Sequence, residues 1–216
     1  MIKHNTEATS EPQAAMEPPA ASSSMAREAA AYPLPTAKRT QARLLRAWLI
    51  GLTVLGYCPA LTYGHLAWLM NEKQWRVVYL VYFTEVPLVG GLFVLLLPWL
   101  AYRPIHRALT QWSSGKPVDR ALCAEVYERA LALPWRVALN CFAAIFFGYL
   151  IGLATVHLAA NQPWSEIYKT FPAIPLVGGI MGAFCYFATV RALHPVLAWC
   201  STQLRFARPI QHVSLA

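Results

Sequence analysis

Four histidines fall in pairs along this chain. His65 and His157 lie near the ends of two apolar stretches, and His106 and His194 lie just past the ends of two others. Imidazoles at matched levels on facing helices are the axial ligands of a b-type haem, two to each iron. The pattern therefore admits a small electron-transfer protein holding haem b through His65, His157, His106 and His194. The commoner arrangement has no cofactor and leaves interfacial histidines bonded to lipid phosphate or backbone. Pro104 precedes His106 and Pro195 follows His194, which sets that pair at the water boundary. Glu85 is the acidic residue placed well inside an apolar stretch. A carboxylate there is costly unless it is paired, protonated or wet, so Glu85 is a candidate for proton or cation sensing, with Lys73 or Arg76 in reach. If its helix starts late, Glu85 lies near the outer surface instead.

Other chemistry is harder to place. The sequence contains no G-x-S-x-G, H-E-x-x-H or G-x-x-x-x-G-K-[ST] pattern, so hydrolase chemistry is not expected. Its five cysteines form no C-x-x-C pair. Four lie in apolar stretches and Cys123 lies in a polar connection, where thiols stay reduced. They read as small buried hydrophobes, with no disulfide framework and no metal site implied.

These residues sit on a duplicated frame. VPLVGGLFVLLLPWLAYRPIHRAL, from Val86, aligns without a gap on IPLVGGIMGAFCYFATVRALHPVL, from Ile174, at an offset of 88. Pro87 falls on Pro175, Gly90-Gly91 on Gly178-Gly179 and His106 on His194. The segments before them match more loosely, through His65-Leu66-Ala67 and His157-Leu158-Ala159. Hydrophobic residues make up 57% of the chain and charged residues only 13%, roughly half the charge of a soluble domain. About 20 apolar residues of helix cross the hydrocarbon core of a bilayer, and four segments qualify, near 45–70, 77–101, 136–160 and 173–199. The fold class expected is an all-α membrane protein with four transmembrane helices as two tandem two-helix repeats, plus short cytoplasmic amphipathic helices.

The domain organisation follows. Residues 1–37, rich in Ala, Ser, Pro and Glu, read as a disordered cytoplasmic tail. Residues 38–101 form the first membrane unit, 102–135 a cytoplasmic connection, 136–200 the second unit and 201–216 a cytoplasmic tail. Six Lys and Arg lie in the tail up to Arg46 and six more in the 102–136 region. The two remaining connections hold only Lys73, Arg76 and Lys169. That asymmetry puts both termini and the middle connection inside, in a multi-pass membrane protein. The net charge of +8 is explained by topology and anionic lipid, and nucleic acid is not an expected partner. Gly148 and Gly152 form a G-x-x-x-G, and Gly178, Gly179 and Gly182 form a second small-residue stripe. Both are packing faces, either within the bundle or across a homodimer. Pro59, Pro87, Pro98 and Pro175 fall inside predicted helices and should kink them.

In the connection, His106 to Trp112 and Arg120 to Leu131 predict two short helices around a Ser113–Pro117 turn. Asp119 caps the second of them, and Glu125 and Arg129 are spaced i, i+4. Two short helices joined this way after an Arg-Pro-Ile resemble a HAMP linker, although amphipathic helices lying on the headgroups would look the same. With LPWRVALNCFAAIFFGYLIG and PLVGGIMGAFCYFATVRALHPVLAW, residues 43–200 resemble the membrane region that precedes HAMP and catalytic domains in bacterial class III adenylate/guanylate cyclases and related sensor kinases. The resemblance implies a sensory input module that signals through linker residues such as Arg103, Pro104, His194 and Pro195 to a cytoplasmic catalytic partner. No segment of the chain resembles that family's catalytic domain, so no catalytic residue is carried over and no enzyme activity is expected. On this resemblance the chain would be the membrane part of an adenylate cyclase.

Overall fold

Apolar runs of this length become helices because lipid offers no partner to a backbone N–H or C=O, so each must be satisfied within its own segment. The computed structural model describes residues 33–67, 71–161, 163–169 and 171–206, and among these there are helices and no strand. The predicted N-terminal tail up to residue 32, and the C-terminal tail beyond 206, lie outside the described residues.

Four helical rods make up the fold. The first consists of α1 (Ala37–Ile50), a π-helical segment Gly51–Tyr57, and α2 (Cys58–Ala67). The second consists of α3 (Glu72–Gly90), a π-helical segment Gly91–Leu96, and α4 (Leu97–Ser113). The third is a single helix, α5 (Arg120–Ala160), of 41 residues. After the short α6 (Trp164–Tyr168), the fourth is α7 (Ala173–Phe206), of 34 residues. Three stretches, Glu72–Ser113, Arg120–Thr155 and Ile174–Leu204, are long and apolar enough to cross a membrane. The outside of the bundle is correspondingly greasy, with Leu88 at 74%, Phe187 at 69% and Leu80 at 65% exposure. Patches of that kind suit lipid and not water.

Each rod packs antiparallel on its neighbours in the order first, second, third, fourth and back to the first. The tightest seam joins α5 to α7. Without a hydrophobic drive between helices in lipid, small residues that let backbones approach supply the contact. A Cβ on Gly182 would lie 3.2 Å from the backbone oxygen of Ala138, and one on Gly178 would lie 3.0 Å from the ring of Phe142. Gly148 and Gly152 present their open side to Val89 and Val81 of α3. The first rod is tied to the fourth by a buried hydrogen bond, in which the indole N–H of Trp48 donates to Thr189 Oγ1 at 3.1 Å, both residues being wholly buried.

The structure corrects two expectations about the connection. Its helices are not separate pieces: α4 continues the second rod through Pro104 to Ser113, and α5 begins at Arg120 and runs through Pro134 into the bundle. The stretch between helices is 114–119. The cause is a buried stripe at helical spacing, Pro98, Tyr102, Ile105, Leu109 and Trp112, which carries the rod past the predicted span. Opposite it, Cys123, Val126, Ala130, Leu133 and Val137 are buried on α5. Asp119 does cap α5, accepting from the Ala121 N–H at 3.1 Å, and Arg129 pairs with Glu125 at 2.6 Å. At the far end Asn71 and Gln74 form a capping box at the start of α3.

The prolines act in different ways. Pro175 stands in the first turn of α7, where a missing N–H costs nothing, whereas Pro87 lies inside α3. Pro59 and Pro98 each follow a π-helical segment by two residues. The residue before each proline makes the wider i to i−5 bond, Cys58 N–H to Thr53 and Leu97 N–H to Leu92. The wide turn makes room where a proline would press on the carbonyl of the preceding turn.

Two stability predictions follow from this packing. Thr189→Val strands the Trp48 donor in the core and is expected to cost about 1–3 kcal/mol in a denaturant titration. An effect within error would show that the bond contributes nothing. Gly182→Val meets backbone and is expected to destabilise by about 1–3 kcal/mol. Gly179→Val faces open space and should be close to neutral in the same assay.

Candidate functional site: a tyrosine-lined joint between three rods

The first π-helical segment lines one small cavity and the second begins next to it, after Gly90; π-turns inside α-helices recur at functional sites. The cavity, about 30 Å³ and so room for a water molecule, lies where the first three rods meet. Gly56, Gly90, Gly148 and Gly152 give it space, and Leu52, Ile145 and Leu153 close it. Its polar lining is three phenols. Tyr57, the last residue of the first π-helical segment, donates its hydroxyl to the backbone carbonyl of Tyr82 in α3. Tyr149 of α5 lines the same cavity beside Tyr82. The Tyr57 and Tyr82 rings meet edge to face, 6.3 Å apart. The first two rods are thereby joined by a hydroxyl, and the third faces them with Tyr149, around a space too small for a cofactor. Such an arrangement orders the junction and leaves room for it to shift.

The predicted residues fall elsewhere. His65, exposed at the end of the first rod, stacks on Trp75 with centroids 3.8 Å apart, and its Nε2 lies 2.5 Å from the Tyr79 hydroxyl. His157, at the matching end of α5, packs on Trp164 at 4.3 Å. Each two-rod half thus carries a histidine–tryptophan clasp at the same end. At the other end His106 is half-buried against Trp99 and Tyr102, whereas His194 is exposed on α7. A haem needs facing imidazoles inside the bundle. His65 and His194 lie on its outside, so the histidines as placed do not fit that group.

Glu85 belongs to α3, and its side chain lies outside the described residues. Arg103 is exposed and Pro104 half-buried on α4, while Pro195 is half-buried within α7. The linker residues therefore ride on continuous helices and are not brought together. Of the packing glycines, Gly148 and Gly152 border the cavity, and Gly178 and Gly182 line the α5–α7 seam. Gly179 opens outward with Ala183 as the floor of an apolar groove of about 450 Å³ between Trp135 and Phe187. Sequence reasoning missed the tyrosine joint. Its available signal was a glycine eight or seven residues ahead of a proline, at Gly51 and Pro59 and again at Gly91 and Pro98. No family model, curated protein or solved structure matches the chain.

Tyr57→Phe removes one cross-rod bond and is expected to lower stability by about 0.5–1.5 kcal/mol, read by denaturant titration. An unchanged midpoint would remove the joint's claim to hold the first two rods together.

Proposed function

We propose that this protein is a multi-pass membrane regulatory module that carries a change in its membrane-embedded part to the hairpin formed by the ends of α4 and α5. The observation that carries the reading is continuity. The second and third rods run unbroken from the histidine–tryptophan end to the 114–119 turn, so neither can shift at one end without moving the hairpin. The tyrosine joint, with a π-helical segment on each of two rods, is the place where such a shift would occur. The first rod acts as the fourth membrane span, and the two halves are tandem copies of one two-helix unit. Lys38, Arg39, Arg43, Arg103, Arg107 and Lys116 gather at the hairpin end, which supports placing that end and both termini in the cytoplasm of a bacterial inner-membrane protein.

In this reading the module has no catalysis of its own. Its output is a cytoplasmic partner docked on the hairpin, of the nucleotide cyclase or kinase class. The groove over Gly179 and Ala183 is the face a second copy would take in a homodimer. A role in electron transfer draws less support, since His65 and His194 lie outside the bundle.

The test is a distance measurement. Thr110 and Glu128 are exposed on the two arms of the hairpin. Spin labels there, with all five native cysteines replaced, report the hairpin directly in reconstituted bilayers. The distance distribution is expected to change with bilayer thickness or anionic lipid content. An identical distribution across all bilayers would show that the hairpin does not read the membrane.

A further inference from the structure

Four of the five cysteines face one another in two pairs across the same seam. Cys123 near the start of α5 meets Cys200 near the end of α7, and its thiol also donates to the Cys200 carbonyl at 3.8 Å. Deeper in the bundle, Cys141 of α5 and Cys185 of α7 lie close to each other. All four are buried, at 1% exposure or less, while the fifth, Cys58, is exposed.

The two pairs differ in setting. Cys185 is wedged beneath Gly51, where an added Cβ would lie 2.4 Å from its sulfur, one turn from the Trp48–Thr189 bond. That pair is enclosed by the first, third and fourth rods. Cys123 stands three residues from the first residue of α5, beside the exposed Asp119 and Arg120 and the 114–119 turn. There the bundle meets water and a helix end frays most readily. A sulfur that reaches its partner's own carbonyl also shows that the two backbones are close, the condition a disulfide imposes. Paired thiols kept reduced in a cell are characteristically redox-sensing, with one cysteine attacking the oxidant and the other resolving.

We propose that Cys123 and Cys200 form a redox-responsive pair whose oxidation by a hydroperoxide staples the start of α5 to the end of α7. In the first step the Cys123 sulfur takes an oxygen from the peroxide to give a sulfenic acid, releasing water or an alcohol. In the second, the Cys200 sulfur displaces that oxygen as water, forming the S–S bond. Two thiols lose two electrons and the peroxide gains them. The enclosed Cys141–Cys185 pair stays reduced.

The experiment uses the full chain in detergent or bilayers. It is treated with hydrogen peroxide, unfolded in acid and alkylated with a maleimide, then weighed and mapped with trypsin. Untreated protein takes five adducts, one for each cysteine. After peroxide, two adducts are expected to be lost and to return on treatment with dithiothreitol, and a linked peptide should join the Cys123 and Cys200 segments. Cys123→Ser should show no loss that dithiothreitol reverses. Cys141→Ser, whose change lies in the other pair, should behave like the parent. Five adducts after peroxide, a linked peptide joining any other two cysteines, or an equal reversible loss in Cys123→Ser would overturn the proposal.

Discussion

The α5–α7 seam is the spine on which the other two rods hang. Lipid surrounds apolar side chains as readily as protein does, so these two helices are held by packing and not by flight from water. Gly178 and Gly182 let α7 lie almost backbone to backbone on α5. Cys141, Ala144, Cys185 and Thr189 keep the rest of the seam narrow. The first rod then leans on α7 through Trp48 and Thr189, and the second leans on α5 through Val81 and Val89 against Gly152 and Gly148. The first and second rods touch each other less, and the tyrosine joint opens between them and α5. The bundle is therefore stiff along one seam and looser opposite it.

That gradient gives the proposed signalling its direction. A change felt at the looser side moves the first and second rods relative to a fixed pair. The second rod ends in one arm of the hairpin, while the other arm belongs to the spine. A shear between a mobile and a fixed arm is a motion that a cytoplasmic partner can read. The thiol pair at the foot of the spine lies where such a reading would be set.

Much of this was legible in the sequence because it rests on local rules. Asp119 as a cap, Glu125 with Arg129, and the glycine stripes all follow from spacing on a single helix. Helix ends were less legible. Pro104, Pro134 and Pro195 argue for breaks, yet each sits inside a rod whose buried stripe continues past it, and tertiary burial outweighs the local cost. What joins one rod to another was invisible. No spacing relates Tyr57 to Tyr82 and Tyr149, or Cys123 to Cys200, because those partners are set by how the rods lie. The histidines were matched correctly in level, but level along a helix says nothing of the face a side chain takes.

The π-helical segment Gly91–Leu96 has a consequence for the two segments that align without a gap, 86–109 and 174–197. Before it the two copies present the same faces, with Gly90 and Gly178 both buried and Leu88 and Leu176 both exposed. A π-turn absorbs one residue more than an α-turn, and the copy at 174–197 has no such turn. Just beyond it the buried positions slip by one, before the faces coincide again at Ile105 and Leu193, Ala108 and Val196, and Trp112 and Cys200. Cys185 and Thr189 are buried, but their counterparts Leu97 and Ala101 are not, and Pro98 and Tyr102 take their places. One residue of slip turns a helix by about 100°. His106 and His194, aligned in the chain, also differ, one half-buried and the other exposed. The two segments differ locally by winding and not by length, an asymmetry that no alignment of the letters records.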